Sequence, residues 1–160
     1  MSKLSRFDVG NYPHFITTKT RNNIPIFSNP ILARACLLFI EELHIDLKFK
    51  VMGYILMPDH LHLILVLPEG KNISYIMKRI KGATARKINI LIGKIGTLWQ
   101  SDFYDHIIKN EKELRDKLKY IHRNPLRSDL VKDLREYEFS SFRTYENDNV
   151  ILKVDFDFLK

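Results

Sequence analysis

The chain has 160 residues, 45% of them hydrophobic and 28% charged, which is the composition of a globular protein rather than of a disordered one. At this length one core can be buried, and we expect residues 1–160 to form a single domain. No run of about 18 apolar residues is present, and residues 1–6 lead into no apolar segment, so we expect no membrane span, no secretion signal and a cytoplasmic location.

The net charge of +7 is concentrated in one window of the sequence. Residues 71–96 hold seven cations and no Asp or Glu, so this window carries the whole excess and the rest of the chain sums to zero. The cations are Lys71, Lys78, Arg79, Lys81, Arg86, Lys87 and Lys94. Such a patch is typical of a protein that binds a phosphate backbone, with an anionic membrane as the weaker alternative and a solvated helix face as the purely structural one.

The first elements predicted along the chain are a strand and a helix. Residues 14–20 are rich in β-forming residues and favour a strand, which Arg21 and two asparagines end. Asn29 and Pro30 are typical of a helix cap and a first-turn proline, and the helix that they open extends to about His44. Its predicted buried stripe consists of Ile31, Cys36, Leu37, Ile40 and Leu43. Because the chain has a single cysteine, an internal disulfide is excluded and a small buried side chain is favoured.

A β-hairpin is predicted next. Residues 47–56 favour a second strand and residues 60–67 a third, which stops at Pro68. Pro58 and Asp59 lie between them and suit the centre of a tight turn. The two strands are therefore expected to pair, with the start of the third strand beside the turn.

The basic window favours an amphipathic helix. From Ile73 to about Ile92, apolar residues recur at helical spacing, so one side is expected to pack while the others present Lys and Arg. The predicted packing residues are Ile73, Ile76, Met77, Ile80, Thr84, Ile88 and Leu91. Gly93 and Gly96 are expected to end this helix.

Three aromatic residues accompany a fourth predicted strand at residues 103–108. Trp99, Phe103 and Tyr104 have flat side chains that can stack on unpaired bases. Packing in the core is the alternative, and we expect it for at least two of the three.

The last predicted helix begins at the cap Asn110 and ends near His122. Its packing stripe is predicted to contain Leu114, Leu118 and Ile121. At about 100° per residue, Tyr120 points about 120° away from that stripe, which is unusual for a core tyrosine. Asn124 follows four residues later on nearly the same side, and Pro125 is expected to leave this amide at the fraying end of the helix.

Strands alternating with two long helices and an antiparallel hairpin predict an α+β fold. We expect a ferredoxin-like or RRM-like sandwich, with a mainly antiparallel sheet and helices packed on one face. Residues 126–131 are expected to form a short turn or helix, and residues 137–142 a segment that docks on the rest. Such a sheet could bring the third strand against the helix that carries Tyr120.

His60 and His62 occupy alternate positions of the third strand and therefore share one face. A buried polar group without a partner costs roughly 1–3 kcal/mol, so two imidazoles on an apolar strand require a reason. A divalent metal is one explanation and hydrogen-bonded structural histidines are the other, and the spacing does not decide between them. A metal would need further oxygen or nitrogen ligands from elsewhere in the chain.

Several segments occur in the order typical of one known family. They are Met-Pro-Asp-His-Leu-His at 57–62, Leu-Trp-Gln at 98–100, Phe-Tyr-Asp at 103–105, Tyr-Ile-His-Arg-Asn-Pro-Leu at 120–126 and Ser-Ser-Phe at 140–142. This ordered set resembles the REP-associated tyrosine transposases, which are IS200-like members of the HUH superfamily of single-strand transposases. The resemblance covers roughly residues 12–145 and does not extend to the tail at 147–160.

The resemblance implies a role for each matched residue. His60 and His62 match the two histidines of the HUH motif and would bind Mg²⁺ or Mn²⁺, and Asn124 matches the polar position that completes the metal site. Tyr120 matches the catalytic tyrosine, whose phenol would attack single-stranded DNA and leave a 5′-phosphotyrosine and a free 3′-OH. The implied activity is a metal-dependent single-stranded DNA transposase and endonuclease that cleaves and rejoins hairpin-containing DNA.

The implied partners are single-stranded DNA hairpins, either REP-like or from insertion-sequence ends. The protein would then be associated with the nucleoid, and it would work as a monomer or as a homodimer. The predicted contacts to the DNA backbone are Lys71, Lys78, Arg79, Lys81, Arg86, Lys87 and Arg123.

Some features leave alternatives open. Ser101 and Asp102 stand where relatives often have basic residues, and Tyr104 competes with Tyr120 as the nucleophile. The main alternative function is a non-catalytic nucleic-acid-binding module derived from this fold, which the basic helix and the aromatic residues would serve equally well. A third is a metal-dependent phosphodiesterase that uses water instead of tyrosine.

Overall fold

The computed structural model describes residues 11–145 and 150–155 of the chain. The strands are β1 His14–Lys19, β2 Lys50–Met57, β3 His60–Val66 and β4 Tyr104–Ile107, and the helices are α1 Pro30–Leu47, α2 Ile73–Ile92, α3 Glu111–His122 and α4 Asn124–Arg127. Among the described residues, none of these helices combines the length and the apolar character needed to cross a bilayer. The single domain over residues 1–160 stays a prediction, because residues 1–10, 146–149 and 156–160 lie outside this description.

The strands form one antiparallel sheet in the order β2-β3-β1-β4. β2 and β3 are the predicted hairpin, in which Met57 pairs with His60 across a two-residue turn. His62 lies in an interior strand, opposite Thr17 of β1 and Ile55 of β2. The predicted α+β fold with a mainly antiparallel sheet is confirmed.

α1 begins as predicted, with the Asn29 side chain accepting a hydrogen bond from the backbone N–H of Ile31 at 2.9 Å. Its buried side contains Leu32, Ala33, Cys36, Leu37, Ile40 and Leu43. Ile31, which was predicted to belong to this stripe, is 69% exposed. The reason is geometric, because Ile31 precedes Ile40 by nine residues and therefore lies about 180° around the helix from it.

α2 has the predicted bounds, and Gly93 ends it with a φ of 66°, in the left-handed region that glycine adopts without steric cost. Leu91, predicted to pack, is 56% exposed. The next residue, Ile92, contacts the core in its place, so the packing side of the helix shifts by one residue in the last turn.

The three aromatic residues near β4 divide as predicted. The Trp99 indole N–H is buried and donates to the Thr84 hydroxyl at 2.9 Å, and Phe103 packs against the same core. Tyr104 is exposed. Two of the three are therefore core residues, and Tyr104 is the one that is available to a ligand.

Each face of the sheet carries an apolar cluster. The larger cluster combines the three leucines of β3 at positions 61, 63 and 65 with the buried sides of α1 and α2. The smaller cluster combines Ile64 and Val66 of β3 with Leu114 and Ile121 of α3. α1 and α2 therefore lie on one face as predicted, whereas α3 covers the opposite face. This difference arises because β3 is apolar on both sides, so that both faces of the sheet need cover.

α3 lies close to β2 at Gly53, where an added Cβ would be 2.3 Å from Leu118 Cδ2. A buried polar network joins the same helix to the sheet. The Ser141 hydroxyl accepts from the Tyr54 N–H at 2.9 Å and donates to the Tyr54 carbonyl at 3.2 Å, so the 2.7 Å contact with His122 Nε2 is assigned to a proton on the histidine. The helix that carries the predicted nucleophile is thus fixed by close packing and by hydrogen bonds.

Late segments of the chain cover the outer edge of β2. The Leu56 N–H donates to the carbonyl of Phe139, which lies in the segment predicted to dock. The Asp155 carboxylate accepts from the Val51 N–H at 2.7 Å and contacts His44 Nε2 at 2.8 Å. Residues 150–155 of the unmatched tail therefore pack on the rest of the protein, and residues 147–149 and 156–160 lie outside the description.

Candidate active site

β3 presents both predicted metal ligands on one face of the sheet. The ring centroids of His60 and His62 are 4.8 Å apart, and the two rings are nearly perpendicular. Ile64 follows them in the smaller cluster, while Leu61 and Leu63 belong to the larger one. The predicted alternation of side chains along β3 is confirmed.

Each of these imidazoles already uses one ring nitrogen. His60 Nδ1 is 2.7 Å from Asp59 Oδ1, and His62 Nδ1 is 2.8 Å from Thr17 Oγ1. Within the described residues, Nε2 of either ring forms no hydrogen bond. A ring that donates its Nδ1–H to a neighbour keeps the lone pair on Nε2, which is the tautomer that metal ligation requires.

The electrostatic surroundings of His62 also favour the neutral ring. Burial lowers the pKa of His62 to about 3, with smaller contributions from the neighbouring His60 ring and from the positive charges of Arg127, Lys19 and Lys117. At neutral pH this imidazole is therefore uncharged, and its Nε2 can donate an electron pair.

α3 and α4 bring the other predicted site residues to the same place. Tyr120 and Asn124 line one open cleft with His60 and His62, and this cleft has a volume of about 1010 Å³. The ring centroid of Tyr120 is 5.8 Å from that of His62, with the rings edge to face. Tyr120 is 46% exposed, so a substrate in the cleft can reach its phenol.

Asn124 begins a second short helix rather than fraying from the first. α3 ends at His122, and Pro125 falls in the first turn of α4. A proline is accepted there because the first N–H groups of a helix have no helical partner. The predicted fraying is wrong, and the buried Asn124 amide forms part of the cleft wall.

The predicted metal donors in the cleft are two imidazole nitrogens and the carboxamide oxygen of Asn124; Asn23 also lines the cleft, but its amide oxygen accepts a hydrogen bond from Gln100. Within residues 11–145 and 150–155, no three side chains among His, Cys, Asp and Glu converge as a metal site, so Asn124 would be needed as a third protein ligand. Asp59 also lines the cleft, but its carboxylate contacts His60 Nδ1. Mixed nitrogen and oxygen donors fit Mn²⁺, and Mg²⁺ also fits because it keeps several waters when bound.

Three cations around the cleft were not predicted from the sequence. Lys19 and Lys117 line the cleft, and the Arg127 guanidinium lies 4.3 Å from the centroid of the Tyr120 ring. Arg127 also donates to the Tyr120 carbonyl at 2.6 Å. Lys117 could have been found from its position three residues before Tyr120 on α3. The position of Arg127 depends on the turn after Pro125, which gives no periodic signal.

The basic window lies across the sheet from this cleft, because α2 packs on the larger cluster. Two of its predicted DNA contacts bind groups of the protein instead. Lys81 donates to the carbonyls of residues 100–102, and burial lowers its pKa. Lys87 forms an ion pair with Glu42 at 2.6 Å.

Lys78 and Arg86 are the cations of α2 that are best placed to meet a ligand. Lys78 lines a groove of about 470 Å³ between α2 and residues 96–103, and Arg86 lines an adjoining groove of about 400 Å³. In the part of the chain that the structure describes, neither side chain forms an ion pair.

The remaining predicted DNA contacts lie in two other places. Lys71 and Arg79 contact the ring of Tyr75, at 4.7 and 5.9 Å from its centroid. Arg123 lies on the cleft side, where it lines a separate shallow pocket that Tyr120 also borders.

Comparison with known proteins relates this arrangement to one family. A family model for IS200-like transposases matches residues 9–124. The REP-associated tyrosine transposase of Escherichia coli strain K12 is 26% identical over 145 residues, which cover 89% of this chain and 83% of that protein. A relative from Haemophilus influenzae is 30% identical over 104 residues, or 59% of each chain.

A solved structure of a REP-associated tyrosine transposase bound to a REP hairpin has the same fold. It superposes with a TM-score of 0.69 at 25% identity, covering 91% of this chain and 86% of that one. The match to the family model includes the cleft residues His60, His62, Tyr120 and Asn124. The chain therefore belongs to the IS200-like transposases, within the REP-associated tyrosine transposase family, and DNA transposition is the activity that this membership indicates.

Proposed function

We propose that this protein is a metal-dependent transposase and endonuclease of single-stranded DNA, which cleaves and rejoins hairpin-containing DNA through a 5′-phosphotyrosine. The observation that carries the proposal is the convergence of Tyr120, His60, His62 and Asn124 in one cleft. A phenol beside two imidazole donors places a nucleophile next to a site for a Lewis acid. That pairing is suited to phosphodiester cleavage.

The residues that would hold the ion are His60 and His62 through Nε2 and Asn124 through its amide oxygen, with Mg²⁺ or Mn²⁺ as the expected metal. When bound, a divalent ion polarises the scissile phosphate and offsets the negative charge on its oxygens. Asp59 and Thr17 contribute by holding the Nδ1 atoms, which keeps both Nε2 atoms available.

Tyr120 is the proposed nucleophile. Its Oη forms a bond to phosphorus, while the bond from phosphorus to the 3′ oxygen of the preceding nucleotide breaks. The phenolic proton leaves to solvent and the 3′ oxygen takes up a proton, so one phosphate ester replaces another. Because the phosphotyrosine retains an ester of comparable energy, a 3′-OH can reverse the step, and rejoining needs no ATP.

The proposed substrate is a single strand folded into a hairpin, of the REP type or from an insertion-sequence end. Support comes from the solved relative, which is bound to a REP hairpin, and from the cations of α2. Lys78 and Arg86 are the proposed backbone contacts on α2, because Lys81 and Lys87 bind groups of the protein. An enzyme that binds DNA in this way would be found with the nucleoid. Homodimer formation stays a prediction that a mass measurement with and without the hairpin would test.

The test is the formation of a covalent protein–DNA adduct. The protein is incubated with Mn²⁺ and single-stranded oligonucleotides that carry a REP-type inverted-repeat hairpin, and the mixture is then denatured. We expect an adduct that depends on Tyr120, His60 and His62 and disappears in Tyr120→Phe. Tyr104→Phe is the matched control, because Tyr104 is also an exposed tyrosine of the same cleft.

The alternatives give different results in the same experiment. An adduct that survives Tyr120→Phe and is lost in Tyr104→Phe would assign the nucleophile to Tyr104. Binding without strand cleavage would support the non-catalytic module, and cleavage without an adduct would support a water nucleophile.

A further inference from the structure

Tyr120 borders a second pocket in addition to the cleft. This basic pocket has a volume of about 410 Å³ and is lined by Asp116, Lys119, Tyr120, Arg123 and Arg127. It therefore contains three cations and one acid. Since Tyr120 lines both cavities, it is the ridge between the cleft and the basic pocket.

The cations of the basic pocket can accept a ligand. Lys119, Arg123 and Arg127 are all exposed. Within the described residues, the side chains of Lys119 and Arg123 form neither ion pairs nor hydrogen bonds. Arg127 donates one N–H to the Tyr120 carbonyl, which leaves other donors of its guanidinium for a phosphate.

Building on the function proposed above, we propose that the basic pocket binds the DNA backbone on the 3′ side of the scissile phosphate. This is the strand that becomes attached to Tyr120. The pocket would thus hold the retained strand, whereas the cleft would hold the strand that ends in the new 3′-OH.

The geometry of displacement at phosphorus supports this assignment of the two strands. The attacking and leaving oxygens lie roughly in line, on opposite sides of the phosphorus. The leaving 3′ oxygen and its strand therefore lie away from Tyr120, on the side of His60 and His62. The strand that keeps its 5′ phosphate stays beside Tyr120, and its next phosphates can reach Lys119 and Arg123 on the outer side of the ridge.

Arg127 contacts both the nucleophile and the basic pocket. Its guanidinium lies against the Tyr120 ring and also lines the basic pocket. A phosphate bound there would sit next to the group that steadies the tyrosine. Arg127 therefore acts as a positioning residue as well as a phosphate contact, and for that reason it is a poor choice for a clean test.

The test compares substrates that differ only in the length of the 3′ flank. The cleavage position is first mapped with the unaltered protein on the hairpin oligonucleotide. One substrate then ends two nucleotides after that position, and the other extends ten nucleotides beyond it. We expect the longer flank to speed adduct formation about tenfold, since it adds charge-assisted phosphate contacts. In the double variant Lys119→Ala/Arg123→Ala this ratio should fall to about two or less, because Arg127 is then the one cation left in the basic pocket.

The control double variant is Lys50→Ala/Lys153→Ala, which removes the same charge from exposed side chains far from the cleft. It should keep the wild-type ratio. The proposal is overturned if Lys119→Ala/Arg123→Ala slows both substrates equally. It is also overturned if the double variant instead loses a rate difference between substrates that differ in the length of the 5′ flank. Failure of the proposed function looks different, because the unaltered protein would then form no adduct with either substrate.

A binding measurement gives a second readout that does not need the reaction. In a Tyr120→Phe background, the longer 3′ flank should raise affinity for the hairpin oligonucleotide, and Lys119→Ala/Arg123→Ala should remove most of that gain. Equal affinities for both lengths in the Tyr120→Phe protein would contradict the proposal.

Discussion

The two faces of the sheet differ in what holds them together. On one face, α1 and α2 cover a large apolar cluster, and the buried polar side chains beside it include the uncharged Thr18 and Thr84. On the other, α3 covers a smaller cluster that adjoins buried polar residues, among them His62, His122, Asn124 and Ser141. Buried polar groups cost stability unless they are partnered. One face therefore contributes most of the apolar stabilisation, and the other accepts polar groups that the proposed chemistry needs.

The largest expected contrast is between two neighbours on β3. His62→Ala should reduce adduct formation about a thousandfold, equivalent to about 4 kcal/mol, because it removes a proposed metal ligand. The Leu63 side chain belongs to the larger cluster on the other face. Leu63→Ala should therefore lower the unfolding free energy by about 2–5 kcal/mol. The rate constant per folded molecule should not change in Leu63→Ala. Adduct kinetics and urea unfolding of both variants check this, and a normal rate in His62→Ala would remove the proposed distinction between the faces.

The next prediction concerns the pH dependence of the unfolding free energy, to which the buried His122 of the cleft face contributes. Burial lowers the pKa of His122 to about 4, below the value of 6.5 for the unfolded chain, so the unfolded state binds more protons between these values. Stability from this group is therefore present above pH 6.5 and is lost as pH falls toward 4. Between pH 7 and pH 5 the loss should be about 2 kcal/mol.

His122→Gln is the variant that tests this pH dependence. Glutamine keeps an N–H donor for Ser141 and does not titrate, so its unfolding free energy should depend less on pH than that of the unaltered protein. Titration of His62 contributes to both proteins and cancels in the comparison. Identical pH profiles would show that folding does not lower the pKa of His122, which would contradict the prediction.

Two glycines offer a comparison of backbone packing on the two faces. Gly53→Ala should lower the unfolding free energy by roughly 1–2 kcal/mol, because the new Cβ would press on Leu118 of α3. It should also slow adduct formation, since α3 carries Tyr120. Gly82→Ala in α2 meets no atom within 4 Å and should instead stabilise the protein by up to about 1 kcal/mol. Chemical denaturation of both variants measures the difference, and equal effects would contradict it.

The smallest expected effect is on DNA affinity. Lys78→Ala/Arg86→Ala should weaken binding of the hairpin oligonucleotide about fivefold near 0.1 M salt and lower the salt slope by about 1.5, as expected for two lost phosphate contacts. The single-turnover rate at saturating DNA should remain the same. A salt titration of binding checks the slope, and Lys87→Ala is the control, because Lys87 is paired with Glu42.

Sequence periodicity predicted the elements better than their mutual arrangement. The hairpin, the caps at Asn29 and Gly93, and the shared face of His60 and His62 follow from local rules, and the structure confirms them. The off-stripe position of Tyr120 was also visible, because helical geometry fixes the angle between residues of one helix. These features depend on neighbours within a few residues.

Features that depend on distant parts of the chain could not be predicted in this way. Nothing in the pattern of α2 places its cations across the sheet from the histidines, and nothing in Lys81 shows that its amine binds the carbonyls of residues 100–102. The same applies to Arg127, whose position over Tyr120 requires the turn that α4 introduces. In each case the partner is chosen by tertiary packing, on which local propensity has no influence.

The late segments that cover β2 have a consequence for folding during synthesis of the protein. β2 is an edge strand, and the groups that occupy its outer side come from residues 137–145 and 150–155, about eighty or more positions later in the chain. A ribosome releases the sheet-forming residues first, so a nascent molecule exposes an unprotected strand edge until the later segment emerges. During that interval β2 can recruit a strand from a neighbouring nascent chain. Translation speed over the last part of the message should therefore influence how much protein is recovered in soluble form.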